Sequence, residues 1–308
     1  MKKNLNPKII IDTDPGHDDA MAIMFLVKSG IVDIKALTTV AGNSSIENVT
    51  RNAAYILNLL GVNIPIYSGF SNPLKRKLIQ AVVHGKSGLD GVNTSKTVYK
   101  LTNDASDQII RLTRKYKKQL VILAIGPLSN IARAFIKDPK LPLSIKHLVI
   151  MGGAINEPGN KNRVAEFNMF VDPEAADIVF KSNVRKILVP FDVCRDISVF
   201  LRDFEKLKKS VLRKSIVAMM KPFIANIEKH EGARGALVCD AIAAYYLLSP
   251  QAFKLQAMDI VIETKGEHTF GMTVAEKRFS ERKLYNVEVV TQVNKKQFIK
   301  DFIKILNK

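Results

Sequence analysis

Asp12, Asp14, Asp18 and Asp19 place four carboxylates within eight residues, directly after the apolar run Ile9, Ile10, Ile11. Pro15 and Gly16 sit between them as turn residues. Carboxylates this close repel one another unless protons or a cation neutralise them. An all-oxygen donor set suits a hard cation, Ca²⁺ or Mg²⁺. The plainer alternative is a solvated acidic turn, with Asp18 and Asp19 favouring the N-terminus of the helix that follows. Metal binding is the better reading, because a solvated turn has no need of so many acids straight after a buried strand.

Other polar groups follow apolar runs in the same way. Asn43 follows the run ending at Val40 and is a candidate amide ligand. After Ala124 comes IGPLSN, where Gly126 and Pro127 force an irregular turn. Such a turn could free the Ile125 carbonyl for a cation, although alone it reads as an ordinary loop-to-helix turn. After Met151 come GGAINEPGN and AEFN, bringing in Asn160, Glu166 and Asn168. Two amides and a carboxylate suit a polyhydroxylated ligand such as a sugar, since each hydroxyl needs a donor and an acceptor. Taken alone, Asn160 is a turn residue after Gly159. Asp240 opens the apolar stretch AIAAYYLL, either as a helix cap or as a distant ligand that completes a metal shell. His17 is expected to point to solvent, and His84 sits in HGKSGLDG, a segment that could close over a site. His147 and His268 read as structural or exposed, and His230 as exposed or pocket-lining.

These groups need a scaffold. Strands are expected at Lys8–Asp12, Ile34–Val40, Leu120–Ala124, His147–Met151 and Lys186–Pro190, each short and aliphatic. Helices are expected between them at Asp18–Ser29, Ser45–Leu60, Ser106–Tyr116, Ser129–Ile136 and Pro173–Lys181. Ser44 and Glu47 fit a capping box, and Gly30 and Gly61 fit helix stops. Alternation of this kind implies a doubly wound, mostly parallel α/β sheet with helices on both faces. Ligands then bind at the carboxyl ends of the strands, where all these polar groups lie. Phe70–Leu101 reads as a long irregular loop, from about Phe200 to Leu248 the pattern is helical, and Ala257–Glu263 reads as a final strand before a Lys-rich helix.

The chain has 308 residues, 47% of them hydrophobic, which is enough for a sizeable core. No repeat or linker divides it, so 1–308 is expected to be one domain. The net charge is +18, but the lysines are scattered, so nucleic acid is not the expected partner. Two cysteines, Cys194 and Cys239, offer no disulfide framework and suggest a reducing compartment. The opening MKKNLNPK has no apolar leader region, and no apolar run is long enough for a membrane span. The expected location is the cytoplasm.

The stretches DTDPGHDDA, TTVAGNSSIENVTRNA, HGKSGLDG, AIGPLSNIA, VIMGGAINEPGN and AEFNMFVDPEAA, in this order, resemble the inosine/uridine-preferring nucleoside hydrolases. The similarity extends over essentially the whole chain and is strongest to bacterial ribonucleoside hydrolases of broad purine and pyrimidine specificity. It implies Ca²⁺-dependent hydrolysis of the N-glycosidic bond, in a homodimer or homotetramer. Asp14, Asp19, Asp240 and the Ile125 carbonyl would hold the Ca²⁺, with Asp18 the general base on a Ca²⁺-bound water. Asn43, Asn160, Glu166 and Asn168 would bind the ribose, Asn168 counting also among the catalytic groups. Met151 would lie beside the sugar and His84 near the base, and Asp14 and Asp240 would face the substrate as well as the metal.

One position departs from the family. Many members have His before the C-terminal Asp as the proposed proton donor to the leaving base, and here it is Cys239. Cys239, His230 and Glu231 are therefore candidates for the leaving-group side, and Phe223 and Asn226 join His230 and Glu231 as candidates for contact with the base. Two rivals remain. In an aspartyl phosphohydrolase, Asp12 and Asp14 would form a D-x-D motif and Mg²⁺ would be required. In a non-catalytic nucleoside-binding protein, Cys239 would mark lost activity.

Overall fold

The apolar runs become the middle of a sheet. The computed structural model describes residues 6–278 and 285–308. Strands β1 (Lys8–Thr13), β2 (Asp33–Thr39), β3 (Ile66–Ser68), β4 (Leu120–Ala124), β5 (His147–Met151) and β6 (Lys186–Val189) run parallel in the order β3-β2-β1-β4-β5-β6. Along β1, Ile9 and Ile11 enter one core and Ile10 the other, because successive side chains leave a strand on opposite faces. All three are fully buried. Each contributes roughly 1.5–3 kcal/mol relative to exposure. That two-sided burial is why the run shows no alternation in sequence.

Strand order reverses between β1 and β4. This is the switch point at which open α/β sheets bind ligands. Asp12 lies level with Thr38 of β2 and Ala124 of β4, so the loops after all three strands leave at one height. The acidic loop after β1 runs directly into the helix His17–Ser29, which ends at Gly30 with φ +67°. Its residues are buried apart from Asp18, Val27 and Lys28, which are partly so.

The helices at Ile46–Leu60, Ala105–Tyr116, Ser129–Lys137 and Pro173–Lys181 lie within a residue of expectation at each end. The cap of the first is Ser45 and not Ser44: Ser45 accepts from the Asn48 backbone N–H, because the helical turn begins at Ile46. Residues 69–104 carry no helix or strand, as the composition of that stretch suggests. The later helical region resolves into Leu201–Glu205, Val211–Glu231 and Cys239–Leu248, with a short ribbon of β7 (Ser198–Val199) and β8 (Ala236–Leu237) beside them.

The expected strand Ala257–Glu263 is two strands in different sheets. β9 (Phe253–Met258) forms the sheet edge, and β10 (Ile260–Ile262) pairs with β11 (Thr273–Ala275). Between β6 and β9 lies β12 (Val287–Val293), absent from the sequence expectation, parallel to β6 and antiparallel to β9. The chain turns at Asp259, and the most exposed part of β9 is at the edge, where burial no longer marks a strand. Met1–Leu5, part of the opening read for a leader, lie outside the described residues. Among the described residues no helix is long and apolar enough to cross a membrane.

Candidate active site

The acidic loop folds into a buried cluster. Asp18, Asp19 and Asp240 bring carboxylate oxygens within 4.8 Å of one another. Asp14 lies beneath, fully buried, and its charge is felt at Asp240. Asp14 Oδ2 accepts from the Asn43 backbone N–H at 2.7 Å, whereas its buried Oδ1 has no hydrogen-bond partner among the described residues. Asp19 is held on both oxygens. Oδ1 accepts from Thr13 Oγ1 at 2.5 Å, and Oδ2 accepts from the Gly16 N–H and Asn43 Nδ2, each at 3.0 Å. Close approach requires glycine at two places. A Cβ at Gly42 would lie 2.2 Å from Asp14 Oδ2, and one at Gly126 would lie 2.6 Å from Asp14 Oδ1.

Burial pushes Asp14, Asp18 and Asp240 well above the usual carboxylate range, and repulsion among the acids adds to it. Burial raises Asp19 too, although Thr13, Gly16 and Asp14 donate to it. So dense a group of acids, with one orphaned buried oxygen, fits a hard divalent cation. The tight group includes Asp18, expected as the base, while Asp14, expected as a ligand, lies just outside it. The Ile125 carbonyl accepts from Asn168 Nδ2 at 3.2 Å and keeps a second lone pair.

Asp240 does not cap its helix. The helix Cys239–Leu248 has Val238 at its N-cap with no side-chain cap bond, and the Asp240 carboxyl joins the acid cluster instead. Asp12, the first acid of the D-x-D motif in the phosphohydrolase reading, is fully buried in β1. Its Oδ1 accepts from Thr38 Oγ1 and Asn130 Nδ2, at 2.6 and 2.9 Å. It does not line the cavity above the cluster.

That cavity encloses about 670 Å³, counting its open mouth. Asp18, Asn43, His84, Ile125, Met151, Asn160, Glu166, Asn168, Cys239 and Asp240 all line it, as do Phe223 and Glu231. Glu166 caps the short helix Phe167–Val171. Its Oε1 accepts from the Asn168 N–H at 2.9 Å and its Oε2 from the Gly153 N–H at 2.8 Å. Burial still pushes this carboxyl up to about 7. Asn160 Oδ1 accepts from the Phe167 N–H at 2.9 Å, so Asn160 is more than a turn residue.

One histidine departs from expectation. His17 is fully buried and stacks on Phe223, with centroids 4.9 Å apart and planes 8° from parallel. Its Nε2 donates to the Asp90 carbonyl at 2.8 Å. The HGKSGLDG loop covers it, and burial pulls it down to about 4. His230 is exposed on the last turn of Val211–Glu231 and does not reach the cavity. His268 is exposed, and His147 is partly buried at the start of β5. Asn226 donates to the Val83 carbonyl at 3.0 Å outside the cavity lining. Sequence reasoning missed Ile227, Lys161, Val82 and Val83 as lining residues. Of these Ile227 carried a signal, four residues after Phe223 and four before Glu231 on one helical face.

The sequence model of the inosine-uridine preferring nucleoside hydrolases matches residues 9–300. The pyrimidine-specific ribonucleoside hydrolase RihA of Escherichia coli O1:K1 is 36% identical over 297 residues, covering 94% of this chain and 95% of that protein. A purine-preferring ribonucleoside hydrolase from Gardnerella vaginalis superposes with a TM-score of 0.91 at 27% identity, covering 97% of this chain and 98% of that one. A plant nucleoside hydrolase, PpNRh1, superposes with a TM-score of 0.89 at 28% identity, covering 98% and 99%. With the acid cluster under a polar cavity at the switch point of the sheet, the chain belongs to the inosine-uridine preferring nucleoside hydrolase family and is an N-ribosyl hydrolase.

Proposed function

We infer that the protein hydrolyses the N-glycosidic bond of purine and pyrimidine ribonucleosides to free base and ribose, with one Ca²⁺ as cofactor. Residues 1–308 would act as one nucleoside hydrolase domain, in a cytoplasmic homodimer or homotetramer that serves nucleoside salvage. One observation carries this reading: Asp18 and Asp240 of the acid cluster line the same cavity as Asn160, Glu166 and Asn168.

Asp14, Asp19, Asp240 and the Ile125 carbonyl would hold the cation, and Asp18 stays with the reacting water. A divalent cation supplies charge neutralisation and a more acidic, oriented water. Asp18 would take the proton of the attacking water as its oxygen bonds to C1′. Its side chain is 14% exposed, so it can reach solvent from inside the cluster. Bond breaking builds positive charge on the ribose ring, as in other glycoside hydrolyses, and the surrounding carboxylates oppose that charge. Asn43, Asn160, Glu166 and Asn168 hold the ribose hydroxyls, with Met151 beside the sugar. Fixing the ring this way lowers the entropic part of the barrier. Release of free base from inosine tests the reading directly. Hydrolysis of a phosphate monoester in its place would restore the phosphohydrolase reading.

Two smaller effects follow. Thr13 lies outside the cavity lining, and its hydroxyl donates to the Asp19 carboxylate. Thr13→Val keeps the shape and removes that donor. Calorimetry should show Ca²⁺ affinity lowered about 10- to 100-fold, the usual cost of losing a partner of a metal ligand. Unchanged affinity would remove Asp19 from the ligand set. Cys239 is 5% exposed, meets the Cys194 thiol and neighbours Asp240, so its role is packing. Cys239→Ala should lose less than about tenfold on both inosine and a nitrophenyl riboside, below the usual span of acid–base groups. A large loss confined to inosine would give the thiol a part in leaving-group activation.

A further inference from the structure

The attacking side of the cavity has a base in Asp18, but the departing nucleobase also needs a proton. The residues nearest its exit offer four sources. Cys239 is a weak donor, and burial and the neighbouring Cys194 hold its thiol well up in pKa. His230 is exposed and does not line the cavity. His84 Nδ1 lies 3.2 Å from both the His17 backbone N–H and His17 Nδ1, and its other ring nitrogen is Nε2. That nitrogen faces Asp18 Oδ1 at 3.8 Å. Burial keeps the His84 ring neutral, with His17 adding to the effect, and a neutral imidazole gives up its proton poorly.

Glu231 is the fourth. The helix Val211–Glu231 turns Phe223, Ile227 and Glu231 toward the cavity at four-residue spacing. Phe223 and Ile227 are 1% and 2% exposed and make an apolar wall for a flat ring. The wall ends in the Glu231 carboxyl, beside Asn160 of the sugar-binding set. Glu231 Oε2 is buried with no hydrogen-bond partner among the described residues. A buried polar atom without a partner costs about 1–3 kcal/mol, so a ligand that satisfies it is favoured.

We propose that Glu231 is the general acid that protonates the departing nucleobase. The proposal rests on the hydrolase reading above. The C1′–N bond breaks with its electron pair going to the base. The carboxyl proton of Glu231 moves to the base, water bonds to C1′, and the water proton goes to Asp18. Solvent at the cavity mouth then reprotonates Glu231 and takes the proton from Asp18, so no further reactant is needed.

The surroundings keep Glu231 a usable acid near neutrality. Burial first, and then the Glu166 charge, push it up to about 7, against pulls from Asn160 and Arg195. Asp18 feels its charge as well. Because the protonated form is the active one, turnover of nucleosides should fall as pH rises through about 7.

The test compares Glu231→Gln and Glu231→Asp with the unaltered protein, all Ca²⁺-loaded, on inosine, uridine and 4-nitrophenyl riboside. Nitrophenolate leaves without a proton. Glu231→Gln should lower kcat on the nucleosides by about 10²–10⁴-fold, with a loss at least tenfold smaller on the nitrophenyl riboside. The alkaline fall in kcat should disappear with it, and Glu231→Asp should restore part of the rate. Equal losses on all three substrates, or no loss on the nucleosides, would overturn the assignment while leaving the hydrolase reading intact. If the unaltered protein cleaves none of the three, the hydrolase reading itself fails and takes the assignment with it.

Discussion

Removing divalent cations from the protein should abolish nucleoside turnover, and Ca²⁺ should restore it. Asp18, Asp19 and Asp240 place oxygens within 4.8 Å of one another, and Asp14 lies beneath with an orphaned Oδ1. Without a cation these acids take up protons, since burial and mutual repulsion raise Asp14, Asp18 and Asp240 well above the usual range. A protonated Asp18 cannot accept the proton of the attacking water, so the apo site loses its base as well as its cation. Stability should respond too. A ligand that binds only the folded chain stabilises it by about 2.7 kcal/mol at one hundred times its Kd, so Ca²⁺ should raise Tm. Full activity in protein shown by elemental analysis to be metal-free would contradict this account.

Asp18→Asn should cut kcat by about 10²–10⁴-fold in a folded, Ca²⁺-loaded protein. Asparagine keeps the size and removes the basic lone pair. Asp18 is in the first turn of the helix His17–Ser29, where it is the Asp19 side chain that accepts from the Gly16 N–H, so the fold should persist. As the proposed base on the water side, Asp18 should show as large a loss on 4-nitrophenyl riboside as on inosine. This distinguishes it from Glu231, whose loss should depend on the leaving group. Near-normal turnover of Asp18→Asn would move the base role elsewhere.

The acid loop and the sheet were legible because their signals are local. Ile9, Ile10 and Ile11 are buried on both faces, and the acids begin at Asp12, one residue before β1 ends. β4 and β5 match their sequence boundaries for the same reason. Asp240 was ambiguous between cap and ligand, because only the fold brings its helix against the acidic loop. His17 was misplaced, since the Phe223 ring that stacks on it is far away in sequence. β12 escaped notice because it is inserted between β6 and β9, a pairing with no short-range signal. Glu231 was legible only as one of several candidates. Its spacing from Phe223 and Ile227 was in the sequence, but the cavity that gives that spacing meaning was not.

The base preference of the relatives differs by name, pyrimidine-specific in the Escherichia coli protein and purine-preferring in the Gardnerella vaginalis one. The Phe223 and Ile227 side chains are apolar and buried, so they offer no hydrogen bond that would tell one kind of ring from the other.

The most direct measurement is product stoichiometry from inosine and uridine, with Ca²⁺ present and phosphate absent. The account predicts one free ribose for each free base released, from both nucleosides. Binding of either nucleoside without release of base, or base release that requires added phosphate and yields no free ribose, would contradict it.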